Sequence, residues 1–220
     1  MLLAPGLIAA VAAAVHLRAP VVLGSGSTTR AAILRELGVK FEVHKPDIDE
    51  KAIRYEDPSK LVLALGKAKA AALMEDERFA DLRQQWISRG SLILTGDQVV
   101  VCGGHILEKP ESEHEARRFI AGYAQHAPST VGSCVVTDPA TGMQWAAVDT
   151  ATVHFEPIAE ATVDKLLAEG EVFHCAGGLM VEHALVAPHV SRMDGSIDSV
   201  MGLCKETAVR LLREAEATAA

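Results

Sequence analysis

Residues 20–38 read PVVLGSGSTTRAAILRELG, and this stretch decides the fold. Pro20-Val21-Val22-Leu23 is a short apolar run that reads as a buried strand. Gly24-Ser25-Gly26-Ser27 turns the chain, and Ile33, Leu34 and Leu37 then share one face of a helix that Gly38 is placed to stop. A strand that ends in small residues and feeds a helix presents free N–H groups and hydroxyls in front of the positive helix end, which makes an anion cradle. No Gly-Lys-Ser/Thr closes the loop, so it is not a Walker motif, and without a third glycine it is not a dinucleotide fingerprint. Taken alone it is as often a tight turn. Arg30, a cation in the first helical turn, opposes the helix dipole and calls for a reason.

Working outward, Phe41 and Val43 alternate with polar neighbours as a second strand, followed by the acidic loop Pro46-Asp47-Ile48-Asp49-Glu50. Asp57-Pro58-Ser59 opens a helix expected to carry Leu61, Leu65, Ala68 and Ala72 inward, with Lys67 and Lys69 elsewhere. Ser91–Thr95 reads as a buried strand stopping at Gly96-Asp97, and Val99–Val101 continues extended to a Gly103-Gly104 hairpin turn. Ser112 and Glu115 form a capping box for the helix through Phe119 and Ile120. Two long β-like segments, Val131–Thr137 and Gln144–Phe155, flank the turn signal Asp138-Pro139-Ala140-Thr141-Gly142. A helix over Ala161–Leu167 ends at Gly170, and an amphipathic helix through Val209, Leu211 and Leu212 closes the chain. Strands and helices alternate irregularly, so the fold class is mixed α/β.

With 220 residues, 49% hydrophobic and 23% charged, the chain suits one full domain or two lobes sharing one core. A net charge of −8 argues against a nucleic-acid binder, although a few cations inside a cleft still allow a small anionic substrate. No run approaches the roughly 18 apolar residues that span a bilayer. Cys102, Cys134, Cys175 and Cys204 form no C-x-x-C pair and the histidines no close pair, a pattern that suits a reducing compartment and the cytoplasm. Residues 1–19 hold an apolar run whose first Lys or Arg is Arg18, after the run. With Leu7, Val11 and Val15 on one face, this reads as an N-terminal extension docked as a helix in preference to a cleaved leader, ahead of a main domain over 20–220.

Several residues are candidates for chemistry. Asp97 ends a buried strand where α/β folds place ligands, and it is suited to hold a divalent metal or to take a proton from water. Lys109, fixed beside Pro110, gains meaning if it converges with Asp97, Lys69 and Arg30. The acidic loop is either a solvated face or a second metal-binding arm. His174-Cys175-Ala176-Gly177-Gly178 lets the backbone approach a ligand, and Glu182 stands on an otherwise apolar stretch, read as a strand, where a carboxylate is costly unless paired.

The order Ser-x-Ser-x-x-Arg, Asp-x-Asp-Glu, Lys-Ala, Gly-Asp, Lys-Pro and Ala-Gly-Gly resembles the Maf nucleotide pyrophosphatases over about residues 20 to 215. The resemblance implies a mixed sheet in two lobes around a central cleft, often a homodimer. It implies hydrolysis of a nucleoside triphosphate to the monophosphate and pyrophosphate with Mg²⁺ or Mn²⁺. By the same resemblance Ser25, Ser27, Arg30, Lys69 and Lys109 bind phosphate, Asp97 accepts the proton, and Asp97 and Glu50 face the metal.

Thr29, Gln98 and Glu182 stand at the family's specificity positions. Gln98 and Glu182, with the His-Cys-Ala-Gly run, are similar to the branch acting on 7-methyl-GTP. Thr29 departs from that branch's tryptophan and keeps the dTTP, UTP or CTP reaction as an alternative. A nucleotide-binding regulator with little catalysis is a further alternative, against which stand the complete charged positions. The chemistry agrees with the first choice. Guanine offers adjacent N1–H and N2 amino donors, which one carboxylate accepts together, and pyrimidines do not. N7 methylation adds a positive charge that strengthens contact with an anion.

Overall fold

The computed structural model describes residues 15–218. The helix expected within residues 1–19 falls largely on residues 1–14, which lie outside the described residues. Val15 is buried among the core side chains, and its amide donates to the Leu37 carbonyl at 3.1 Å.

From there β1 (Val21–Gly24) leads into α1 (Thr28–Glu36) and β2 (Phe41–Val43). An acidic loop precedes α2 (Pro58–Glu75) and α3 (Ala80–Arg89), followed by β3 (Ile93–Thr95), β4 (Gln98–Cys102) and β5 (His105–Leu107). Then come α4 (Glu113–Gly122), β6 (Ser129–Thr137), β7 (Gln144–Phe155), α5 (Glu160–Glu169), β8 (Val190–Asp194), α6 (Ile197–Val200) and α7 (Lys205–Thr218). The strands form one mixed sheet: β1 runs parallel to β2 and β3, and the remaining pairs are antiparallel.

Strand alternation divides the core as a period of two requires. Val21, Leu23 and Leu94 pack with Ile33 and Leu34 of α1 and with Leu211 and Leu212 of α7. Val22 and Ile93 face the other side, against Leu73 of α2 and Trp86 of α3. The sheet is therefore covered on both faces, which accounts for the apolar runs of β1 and β3.

The register reveals a relation that strand labels conceal. Ile93 pairs with Thr137 and Thr95 with Val135, while Gln98 pairs with Gly132 and Val101 with Ser129. β3 and β4 are thus one strand lying along β6 in a single register, interrupted at Gly96-Asp97. On the opposite edge β1 ends its pairing at Gly24–Thr95, and β5 begins its own at Val100–Leu107. The strand between Thr95 and Val100 has no neighbour on that side, so the sheet itself leaves an opening beside Asp97.

Most expected elements form where the sequence puts them, including the Gly103-Gly104 turn, whose φ values of 56° and 79° suit a two-residue hairpin. Three readings change. Lys69 does not face away: with 8% exposure it lies on the buried stripe of α2 with Leu65, Gly66 and Leu73, while Ala68 and Ala72 are only half-buried. A lysine can join an apolar face when carboxylates wait at its tip. Glu182 stands on a turn and is exposed, so no strand buries it. The capping box is skewed: Ser112 Oγ accepts from the Glu115 amide at 3.2 Å, but the Glu115 carboxylate reaches the Glu111 amide at 3.0 Å, one residue earlier. α3, β8 and α6 were not evident from the sequence.

Gly96 has no room for a side chain, because a Cβ there would collide with the Ser133 carbonyl oxygen on β6. Gly96→Ala is expected to lower stability by about 1–3 kcal/mol, the usual cost of overpacking. Denaturant unfolding measures this, and a loss within about 0.5 kcal/mol, as at a neutral surface site, would show that the break yields.

Candidate active site

A cavity of about 1050 Å³ opens beside the strand break. Ser25, Ser27, Thr29, Arg30, Glu50, Lys69, Asp97, Gln98, Lys109 and Glu182 all line it, so residues drawn from widely separated segments meet in one space.

The loop after β1 is built as an anion cradle. Ser27 is the N-cap of α1, its hydroxyl accepting from the Arg30 amide at 3.3 Å, and Ser25 Oγ accepts from the Ser27 amide at 3.2 Å. Helix geometry leaves the Thr28 and Thr29 amides without intrahelical partners, and both residues line the cavity. Arg30 has its reason: Nε donates to the Gly202 carbonyl at 2.9 Å and Nη1 to Ser25 Oγ at 3.2 Å. Burial pushes its guanidinium below the usual range, opposed by the charges of Asp97 and Glu50.

Lys69 Nζ sits between two carboxylates, 2.5 Å from Asp97 Oδ1 and 2.8 Å from Glu50 Oε1. The Lys69 and Asp97 side chains are 10% and 16% exposed, whereas Glu50 is 57% exposed at the end of the acidic loop. Burial alone would raise the Glu50 carboxyl, but the Lys69 hydrogen bond and the charges of Lys69, Lys109 and Arg30 hold it below the usual range. The acidic loop is thus a wall of the site.

Asp97 is held by its backbone. Its amide donates to Ser133 Oγ at 3.0 Å, and its carbonyl accepts from the Ser133 amide at 2.8 Å. Sequence reading missed Ser133, because a serine on an apolar strand carries no signal until its neighbours are known. Gln98 Nε2 donates to the Ser199 and Val200 carbonyls at 2.9 and 3.0 Å, which ties the end of α6 to the cavity wall.

At the other side of the cavity, Glu182 and Glu171 act on the Cys175 thiol. Burial, reinforced by those carboxylates and opposed by Lys109, pushes that thiol up to about 11. Those surroundings disfavour the thiolate, the form in which a cysteine attacks. Lys109 therefore lies within electrostatic reach of both Glu50 and Cys175. Among the described residues Glu182 has no hydrogen-bond or ion-pair partner, so its carboxylate is available to a ligand.

Among the described residues no three His, Cys, Asp or Glu side chains gather tightly enough to enclose an ion. Asp97 and Glu50 converge on one nitrogen with hard oxygen donors, which fits a divalent cation that completes its shell with substrate phosphate oxygens, as Mg²⁺ commonly does. The site fits that group.

Lys69→Met would leave Asp97 and Glu50 without the ammonium that bonds both, with only the more distant charges of Arg30 and Lys109 near Glu50. It should cost about 3 kcal/mol at neutral pH, the low end for a broken buried pair because Glu50 is more than half exposed. The folded-state pKa of Glu50 is depressed, so its contribution is present above the unfolded carboxylate value, about 4.3, and is lost as pH falls through the folded value. Urea unfolding of both proteins from neutral to acid pH should therefore show the difference shrinking below about pH 4. A difference constant with pH would refute the ion-pair account.

The family described as Maf-like protein matches residues 20–215. A 7-methyl-GTP pyrophosphatase of Dictyostelium discoideum is 38% identical over 195 residues, covering 89% of this chain and 96% of the relative. A dTTP/UTP pyrophosphatase of Vibrio vulnificus is 30% identical, covering 88% and 97%. A 7-methyl-GTP pyrophosphatase of Idiomarina loihiensis is 31% identical, covering 74% and 78%.

Proposed function

The chain belongs to the Maf family, and on that premise we propose that it hydrolyses 7-methyl-GTP to the nucleoside monophosphate and pyrophosphate. It is a nucleoside triphosphate pyrophosphatase of that family, and the choice of base is the step added here. The observation that carries this choice is the unpartnered Glu182 carboxylate on the wall of the cavity that also holds the phosphate loop. It can accept both Watson–Crick donors of guanine, and its charge, with Glu171 nearby, favours the cationic methylated ring. Thr29 and Gln98 complete the specificity positions.

In the reaction, the oxygen of a water bonds to the α-phosphorus, the bond to the β-phosphate oxygen breaks, and pyrophosphate leaves. Asp97 orients that water and takes its proton. The Thr28 and Thr29 amides and the loop of Ser25 and Ser27 receive phosphate oxygens, while Arg30, Lys69 and Lys109 hold the triphosphate and neutralise charge on the leaving group.

Six cationic and eight anionic side chains line the cavity, so a triphosphate enters a space already short of positive charge. That deficit supports a divalent cation, Mg²⁺ or Mn²⁺, held by Asp97 and Glu50. When bound, it would supply neutralisation of the phosphate oxygens.

We read residues 20–220 as one catalytic domain in two lobes about the cavity. Homodimer formation and a cytoplasmic setting are part of the same reading. The four free cysteines support a reducing compartment, and among the described residues no helix is long and apolar enough to cross a membrane.

The test is pyrophosphate release with Mg²⁺ from 7-methyl-GTP, GTP, dTTP, UTP and CTP. The expected result is a preference for 7-methyl-GTP that falls in Glu182→Gln. A preference for pyrimidines in the parent protein, the reading that Thr29 and the dTTP/UTP relatives favour, would overturn the choice of base. Asp97→Asn should lower kcat by about 10²-fold or more, as loss of a general base does. Turnover within about twofold of the parent would remove Asp97 from that role.

A further inference from the structure

We propose that Ser133 is a positioning residue for this reaction, its one hydroxyl fixing both the backbone of Asp97 and the helix that carries Lys69. The inference rests on Asp97 being the proton acceptor.

Ser133 lies on β6 opposite the strand break and is 3% exposed. Its Oγ accepts from the Asp97 amide at 3.0 Å and donates to the Val62 carbonyl of α2 at 2.7 Å. Seven residues, close to two helical turns, separate Val62 from Lys69, so the two share a face. The Lys69 ammonium returns to Asp97 Oδ1 at 2.5 Å. The loop of contacts is closed: hydroxyl to helix, helix to lysine, lysine to aspartate, aspartate amide back to the hydroxyl.

Gly66 allows this approach. A Cβ on Gly66 would stand 2.9 Å from Ser133 Oγ and 3.0 Å from Val135 Cγ2, so a larger residue displaces the hydroxyl from this position. Thr95 makes a parallel bond one turn along, its Oγ1 donating to the Gly66 carbonyl at 2.7 Å. Thr95 thus anchors the same helix without bonding Asp97. The pair separates helix docking from placement of the acid.

The experiment measures kcat, KM and thermal midpoint with the best nucleotide substrate for the parent, Ser133→Ala, Gly66→Ala, Thr95→Val and Asp97→Asn. Ser133→Ala should lower kcat about 10- to 100-fold, the scale of a displacement near 1 Å, with a smaller change in KM, because of the three cations only Lys69 depends on it while Arg30 and Lys109 do not. Gly66→Ala, whose Cβ meets the Ser133 hydroxyl itself, should give the same split by pushing that hydroxyl off its two bonds, and it decides the matter if Ser133→Ala fails to fold. Thr95→Val should lower the thermal midpoint as Ser133→Ala does, yet change kcat less than about threefold, since only the helix is loosened. Near-parental kcat in folded Ser133→Ala, or an equal kcat loss in Thr95→Val, would overturn the proposal and leave Asp97 in its role. Near-parental kcat in Asp97→Asn would overturn both.

Discussion

Between Thr95 and Gln98 the strand along β6 is disturbed without changing register: the Asp97 carbonyl still accepts from the Ser133 amide, but the Asp97 amide turns to Ser133 Oγ. Keeping the register matters, because a slip of one residue would exchange the faces of every following side chain. Val99 and Val100 would then lose their buried places, and β5 would pair with the wrong partners. The break is possible only because Gly96 passes against the Ser133 carbonyl and because Ser133 bonds both the amide and the carbonyl of Asp97. A backbone disturbance inside a sheet leaves polar groups that must be satisfied, and a buried serine meets that need locally. The same disturbance turns a carboxylate into the gap between the ends of β1 and β5.

Around this point the charges are arranged so that none is buried alone. Arg30 is held by the Gly202 carbonyl and the Ser25 hydroxyl, and Lys69 is matched by Asp97 and Glu50. Removing charges from water is expensive, and pairing recovers much of that expense only with close geometry. The consequence for function is preorganisation. Arg30 and Lys69 are already fixed by protein dipoles and carboxylates, so either would meet an anion with little reorganisation.

The chain also joins the two sides of the cavity through backbone polar groups. Gln98 grips the end of α6, and Arg30 grips Gly202 just beyond it. The Gly177 amide donates to the Glu108 carbonyl at 3.0 Å, and the Tyr123 hydroxyl donates to the Gly177 carbonyl. The small-residue run near Cys175 is thereby tied to the segment that carries Lys109. Glu182, on the turn that follows, is positioned by this scaffold and not by a strand of its own.

Local patterns made much of this protein legible from its residues. Apolar alternation, glycine stops and capping serines mark β1, α1, β3, the Gly103-Gly104 hairpin and the long β6–β7 pair, because those signals act within a few residues. The order of short motifs was enough to nominate ten site residues, all of which meet in one cavity. Other features were closed to such reading. α3 and β8 owe their places to what they pack against: Trp86 to the far face of the sheet, and β8 to β7. The inward turn of Lys69 contradicts its local hydropathy and is explained only by carboxylates that are distant in sequence. Ser133 looks like any strand serine until Asp97 and Val62 are seen beside it. The sequence by itself determined which elements form and which residue types gather. Only the tertiary structure decided which side chains act on one another, because burial and ion pairing depend on distances that local pattern does not contain.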